Sequence, residues 1–330
     1  MKPKVAIIAT GGTIASVAAT SLALLDYVPE KGLDIGGLLA RFPEVRDVAD
    51  IIPVPYRTVS GYRIYFPEWK ELTALCERLE ADDPDLAGIV ITHGTSSLEE
   101  TAYFLNLVLK VRVPVVLVGA QRPASALSSD AGLNLLNAVR VAASPEARGL
   151  GVLVVLNDEI NAARDVTKTA TMRLQTFRTP DFGVLGHADG DRVSLYRHPV
   201  RRCYPDTEFD IGDLAALPRV DIQYAYAGSD GAAVRAFVQA GAKGIVSAGF
   251  APGFAGVDDG LALAEAAEQG IIVVQSTRSG SGRAYPERWA PGARFISADN
   301  LTPQKARLLL SLALTVTTDL NEIGRMFAIY

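Results

Sequence analysis

Two stretches of the chain place threonines beside glycines at the ends of apolar runs, and a third such run leads toward a threonine-lysine pair. Residues 5–9 lead into Thr10-Gly11-Gly12-Thr13-Ile14, and residues 86–92 end on Thr92 and lead into His93-Gly94-Thr95-Ser96-Ser97. Residues 151–156 lead into Asn157-Asp158-Glu159, with Arg164-Asp165-Val166-Thr167-Lys168-Thr169 shortly after. Paired glycines let a backbone approach a ligand closely and turn N–H groups toward a developing oxyanion. A threonine next to such glycines is a candidate nucleophile when a base lies near, and a desolvated lysine can be that base. Each piece alone is also what a tight turn or a solvated lysine looks like. Their order and strand context give them weight.

The elements that must position these groups are legible in outline. Continuous β-branched runs at 5–9, 86–92, 113–118 and 151–156 alternate with helical patterns at 98–109 and 130–142, the latter with Leu133, Leu136 and Val139 on one face. That alternation marks a mostly parallel sheet covered on both faces, a doubly wound α/β domain. In such sheets ligands sit beyond the carboxyl ends of the strands, where the threonine-glycine stretches fall. The periodicity breaks down from about 189 to 218, apart from a hairpin near 193–196. A smaller α/β alternation then follows through strands at 220–224, 244–248 and 271–275 and helices at 232–239 and 261–268. Two helices close the chain, one opened by the Thr302-Pro303 start signal. The expected organisation is an N-terminal domain over 1–190, a linker over 191–218 and a smaller C-terminal α/β domain over 219–330.

Composition narrows the function. The chain has 330 residues, 32 basic and 37 acidic, for a net charge of −5, so no basic excess exists to bind a phosphate backbone. Nucleic acid is not an expected partner. No apolar run reaches the length of a membrane span, and the run at 5–9 is too short for a secretory h-region. Two scattered cysteines, Cys76 and Cys203, fit a reducing compartment, and the expected location is cytoplasmic. Three histidines, His93, His187 and His198, stand in no ligand spacing, which argues against a metal centre. No Gly-Lys-Ser/Thr loop or G-x-G-x-x-G follows the first strand, which argues against a kinase or a dehydrogenase. A Ser-His-Asp hydrolase would need His93 as base, but a strand-end histidine beside glycine reads as a structural hydrogen-bonding residue.

Taken in order, these segments resemble the bacterial L-asparaginase and glutaminase-asparaginase family. Thr10-Gly11-Gly12-Thr13-Ile14 is similar to its first signature, and His93-Gly94-Thr95 with Leu98-Glu99-Glu100-Thr101-Ala102-Tyr103 to its second. Gly119-Ala120-Gln121-Arg122-Pro123, the stretch from Ser129-Asp130 to Asn137-Ala138, and Arg164 to Thr169 resemble its next segments. Gly244 to Gly249 and Leu301 to Arg307 resemble its smaller domain, so the likeness spans essentially the whole chain. It implies Thr13 as first nucleophile activated by Tyr27, Thr95 and Lys168 as a second pair, and substrate contacts from Gly12, Ser60, Gly94 and Ser96. It implies hydrolysis of a small amide without metal or organic cofactor, and a homotetramer whose sites borrow residues from a neighbour's C-terminal domain.

The chain also departs from that pattern. Ser96 stands where the family carries the aspartate that binds a substrate α-ammonium, and Ala251-Pro252-Gly253 replaces a Gly-Asn-Gly. The loop with Arg278, Gly280, Gly282 and Arg283 lacks an aligned glutamate, Glu287 being the nearest acid, and Ser60-Gly61 inverts the usual Gly-Ser. These changes weaken ammonium recognition while the nucleophiles and the lysine persist. Poor activity on L-asparagine, or a different amide, ester or lactone substrate, is therefore expected, unless Asp130 or Asp26 supplies the missing charge. A binding module that has lost catalysis is the non-enzymatic rival.

Overall fold

The computed structural model describes residues 1–27, 32–285 and 295–330. The chain divides into two compact units, Met1–Thr207 and Glu208–Tyr330.

The first unit is built on eight strands interleaved with helices. In chain order these are β1 (Lys4–Ala9), α1 (Ile35–Arg41), α2 (Val45–Val48), β2 (Asp50–Pro55), α3 (Phe66–Asp82), β3 (Leu86–Thr92) and α4 (Leu98–Val108). There follow β4 (Val115–Val118), α5 (Ala131–Ala143), β5 (Leu153–Leu156) and β6 (Glu159–Ala162). A two-stranded ribbon, β7 (Thr167–Lys168) with β8 (Phe177–Arg178), precedes β9 (Gly186–Ala188) and β10 (Val193–Leu195). The main sheet runs β10-β9-β6-β5-β4-β3-β1-β2. From β5 to β2 the pairing is parallel, while β6, β9 and β10 extend it antiparallel.

Side-chain alternation explains why the central strands read as unbroken apolar runs. Val5, Ile7, Val90, Val116 and Val155 bury one face with α5 residues Leu135, Ala138 and Ala142. Ala6, Ile8, Ile89, Ile91, Leu117 and Val154 bury the other with Leu72 of α3 and Leu98, Ala102 and Leu105 of α4. A strand covered on both sides has no polar face to show. The helix over 130–142 departs from its sequence reading. Leu133 is 51% exposed, and the inner face is Ala131, Leu135, Ala138, Val139 and Ala142. Small residues dominate there because the helix lies close against the sheet: a Cβ on Gly88 of β3 would meet Ala142 O at 2.1 Å. The strand β2 carries Pro53 and Pro55, which an edge position tolerates because the missing N–H faces no further strand.

The second unit is a four-stranded parallel sheet, β11 (Val220–Tyr224), β12 (Gly244–Gly249), β13 (Ile272–Thr277) and β14 (Ile296–Ser297), in that order. Its helices are α6 (Ala232–Gln239), α7 (Val257–Glu268), α8 (Pro303–Val316) and α9 (Leu320–Ile329). Val234, Ile245, Leu263 and Val273 are buried together between sheet and helices. Pro303 takes the first position of α8 after Thr302 in extended conformation, so the ring costs no intrahelical bond.

Candidate active site

Within the first unit, loops beyond the carboxyl ends of β1 and β3, with the segment after β2, converge on one place. Thr10 Oγ1 donates to Thr92 O at 2.7 Å, and Val59 N–H donates to Thr10 O at 2.8 Å. Ser97 Oγ donates to Gly61 O at 2.5 Å. Glycines allow the approach. A Cβ on Gly12 would lie 2.6 Å from Gly94 N, and one on Gly94 would lie 2.9 Å from Gly61 Cα. Gly12 also has φ of 89°, which an L side chain rarely adopts. Gly12→Ala is therefore expected to destabilise this unit by about 2–4 kcal/mol, from backbone strain plus overpacking. Thermal unfolding of the variant measures it; an unchanged Tm would mean that the two loops part without cost.

The backbone at Gly12 packs against that at Gly94, and Thr13 and Thr95 each follow one of these glycines in the chain. Thr13 is half-buried in a short 3-10 turn over Thr13–Ala15, and its Oγ1 shares a hydrogen bond of 2.9 Å with Tyr27 Oη. Thr95 is buried, and Lys168 Nζ donates to its Oγ1 at 2.8 Å. Lys168 sits on β7, and its backbone N–H donates to Glu99 Oε1 of α4 at 3.3 Å. Desolvation lowers the Lys168 pKa from the free-lysine value, opposed by the Glu99 carboxylate. The structure thus pairs each threonine hydroxyl with a titratable partner on neighbouring loops, an arrangement suited to nucleophilic acyl transfer.

His93 is a hydrogen-bonding residue, as its place at a strand end beside glycine implies, but its partners were not legible in the sequence. Trp69 Nε1–H donates to Thr101 Oγ1 at 2.8 Å, and Thr101 Oγ1 lies 2.9 Å from His93 Nε2. His93 Nδ1 lies 2.8 Å from Gly94 O. A carbonyl can only accept, so Nδ1 carries the proton and Nε2 accepts from the Thr101 hydroxyl. Burial pushes the His93 pKa down to about 4, in keeping with a neutral ring. Both ring nitrogens are committed, so His93 fixes the Gly94 carbonyl beside Thr95. Trp69 is itself set by stacking on Phe104, centroids 4.6 Å apart. The sequence signal was faint, Thr101 following His93 by eight residues across a loop and the first turn of α4.

The remaining expected residues fall as follows. Ser60 is buried at the start of the 3-10 turn Gly61–Arg63, against the Gly94 loop. Ser96 is exposed, its Oγ 2.7 Å from where a Gly61 Cβ would stand. Asp130 accepts from the backbone N–H groups of Gln121 and Arg122, both at 2.9 Å, and from Asn134 Nδ2 at 3.0 Å. That carboxylate is engaged in holding its own loop. Asp26 is exposed next to Tyr27. Asn157-Asp158-Glu159 proves to be a hairpin turn between β5 and β6, with positive φ at Asn157 and Asp158, and not a strand-end ligand loop. In the second unit, Ala251-Pro252-Gly253 forms the turn after β12, and the Arg278 guanidinium lies 4.4 Å over the Phe250 ring. Glu287 lies outside the described residues. Among the described residues no group of three or more His, Cys, Asp or Glu side chains could hold a metal ion.

Residues 4–201 match the model for the N-terminal domain of asparaginase, and residues 219–327 match that for the glutaminase/asparaginase C-terminal domain. The chain belongs to the asparaginase family. This asparaginase-family chain is 40% identical over 329 residues to L-asparaginase 2 of Bacillus subtilis, covering 99% of itself and 87% of that protein. It is 40% identical over 326 residues to a glutaminase-asparaginase of Pseudomonas fluorescens, covering 98% and 89%. A solved structure of a probable cytoplasmic L-asparaginase from Campylobacter jejuni superposes with a TM-score of 0.94 at 39% identity, over 100% of both chains.

Proposed function

We propose that this asparaginase-family enzyme hydrolyses the side-chain amide of a small L-asparagine-like substrate through a threonine ester. The observation that carries the reading is the pairing of Thr13 with Tyr27 and of Thr95 with Lys168 on loops in backbone contact. Thr13 Oγ1 adds to the amide carbon while its proton passes to Tyr27 Oη, which gives up its own phenol proton toward the amide nitrogen. Backbone N–H groups beside Thr13 and Thr95 face the oxyanion. Collapse of the adduct, with a proton returned to nitrogen, expels ammonia and leaves an acyl-threonine. Water then cleaves that ester, with Thr95 and Lys168 as the second pair that relays its proton. Gly12, Ser60, Gly94 and Ser96 would frame the substrate. The test is ammonia release by the purified protein from L-asparagine, L-glutamine, amides lacking the α-amino group, and matched esters. Release of ammonia or turnover of an ester supports the enzyme; ligand binding with no turnover of any of them would leave a binding module instead.

Ser96 favours a second reading of the substrate. A serine hydroxyl offers no negative charge where the resemblance expects an ammonium-binding aspartate, so an ammonium bound there lacks its counter-charge. Asp130 is committed to backbone N–H groups and does not stand free to compensate. On this reading the preferred substrate carries no α-ammonium. Ser96→Asp is then expected to raise kcat/KM on L-asparagine roughly tenfold and to leave the des-amino amide unimproved. An equal gain on both substrates would mean that the residue acts on Lys168 and not on the ammonium.

The family resemblance also supports a homotetramer, for which sedimentation velocity is the test; a stable, active monomer would overturn it. No described helix is long and apolar enough to cross a membrane. Cys76 and Cys203 are free thiols, which suits the cytoplasmic location we propose.

A further inference from the structure

The first unit holds a cavity of roughly 180 Å³ that none of Thr13, Tyr27, Thr95 or Lys168 lines. Its walls are mainly apolar, from Leu150, Ala162 and Leu185 inside to Phe182 at the exposed mouth. Polar groups enter at chosen places. Asn106 of α4 is 5% exposed and lines the cavity. Its Oδ1 accepts from Val152 N–H at 2.9 Å, which fixes the amide orientation and leaves the Nδ2 donors without a protein partner among the described residues. Arg164, 6% exposed, lines the wall and is oriented by Asp165 at 3.0 Å.

Two further guanidinium groups line the same cavity without a carboxylate partner among the described residues, Arg197 and Arg202. Arg197 is held in place by the carbonyl oxygens of Gly183 and Val184, which orient it without neutralising it. Arg202 is exposed. A cavity with apolar walls, a buried amide donor and un-neutralised guanidinium groups suits an anion attached to an apolar body. A fully hydrated inorganic anion would leave the walls unused, and a cation would be repelled. Guanidinium groups match a carboxylate well, because two N–H donors meet two oxygens.

We propose that this cavity is a second binding site, separate from the threonines, for a small carboxylate with a short aliphatic chain. Isothermal titration of the full chain with hexanoate tests it. The expected result is saturable one-to-one binding that L-asparagine does not displace and that persists in Thr13→Ala. Asn106→Asp keeps the acceptor for Val152 N–H but turns a negative charge into the cavity, and should weaken hexanoate at least tenfold. Arg202→Glu changes an exposed side chain with no partner to lose, so it should fold as the parent does and also weaken binding at least tenfold. Hexanol, with the chain but no charge, should bind at least tenfold more weakly than hexanoate. No saturable binding, unaltered affinity in Arg202→Glu, or equal affinity for hexanol would each overturn the site. None of these outcomes depends on whether the threonines turn over an amide.

Discussion

Thr13→Ala is expected to reduce turnover of the best amide at least a thousandfold while leaving the thermal midpoint within a few degrees of the parent. Removing the attacking oxygen removes the covalent route itself, a loss of the order seen when a nucleophile is deleted from an enzyme whose binding and oxyanion donors remain. The fold has little at stake in the hydroxyl. Thr13 is half-buried, its hydroxyl is bonded to Tyr27, and the core neighbour is Ile14, which is fully buried. Tyr27→Phe keeps the ring and removes the shared hydrogen bond, so it should slow the first step without the same total loss. A burst of ammonia in rapid-quench kinetics distinguishes acylation from hydrolysis in these variants. Retention of most of kcat by Thr13→Ala, on the substrate the protein prefers, would remove Thr13 from the proposed role.

The parallel core was readable because β1, β3, β4 and β5 are buried on both faces, and such strands announce themselves as unbroken β-branched runs. The edge strand β2 hid behind Pro53 and Pro55, residues that usually argue against a strand and are admitted here only by its edge position. The inner face of α5 was misread because leucine was weighted over alanine. The close helix-to-sheet distance at Gly88 selects Ala138 and Ala142 for the inside and sends Leu133 out. Asn157-Asp158 follows a strand end as the threonine loops do, yet makes a hairpin turn, because residues that tolerate positive φ form turns as readily as sites.

The candidate site was legible only as residue types in a strand-end context. Glycine beside threonine at a strand end has a chemical meaning that survives without coordinates, whereas the backbone packing of Gly12 against Gly94 is visible only in the fold. What could not be read was the support behind it. The chain from Trp69 through Thr101 to His93 joins three elements by side-chain hydrogen bonds, and no local pattern encodes a contact across thirty-two residues. Its placement at Gly94 O suggests why His93 stands at that strand end without acting as a base: a ring with both nitrogens engaged and a pKa held near 4 has no free acceptor.

Lys168→Met is expected to lower kcat by two to four orders of magnitude and to erase the pH dependence that the lysine confers. The sign follows from the proton inventory. To relay a proton from water or from Thr95, Lys168 must be neutral, so activity rises with pH through its pKa. Desolvation disfavours the ammonium and lowers that pKa below the ordinary 10.5, although the Glu99 carboxylate works in the opposite direction. The rising limb of kcat should therefore lie below the pH range in which free lysine titrates. Methionine matches the length and apolar stem of lysine and fills the same half-buried position without an acceptor, so a large loss of structure is not expected. Glu99→Gln offers an independent check of the electrostatics. It keeps an oxygen for the Lys168 backbone N–H, now 3.3 Å away, but withdraws the negative charge that favours the ammonium. The lysine pKa should then fall further, and the rising limb of the profile should move to lower pH. A limb unmoved in Glu99→Gln, together with normal turnover in Lys168→Met, would reduce the lysine to a hydrogen-bonding support for Thr95.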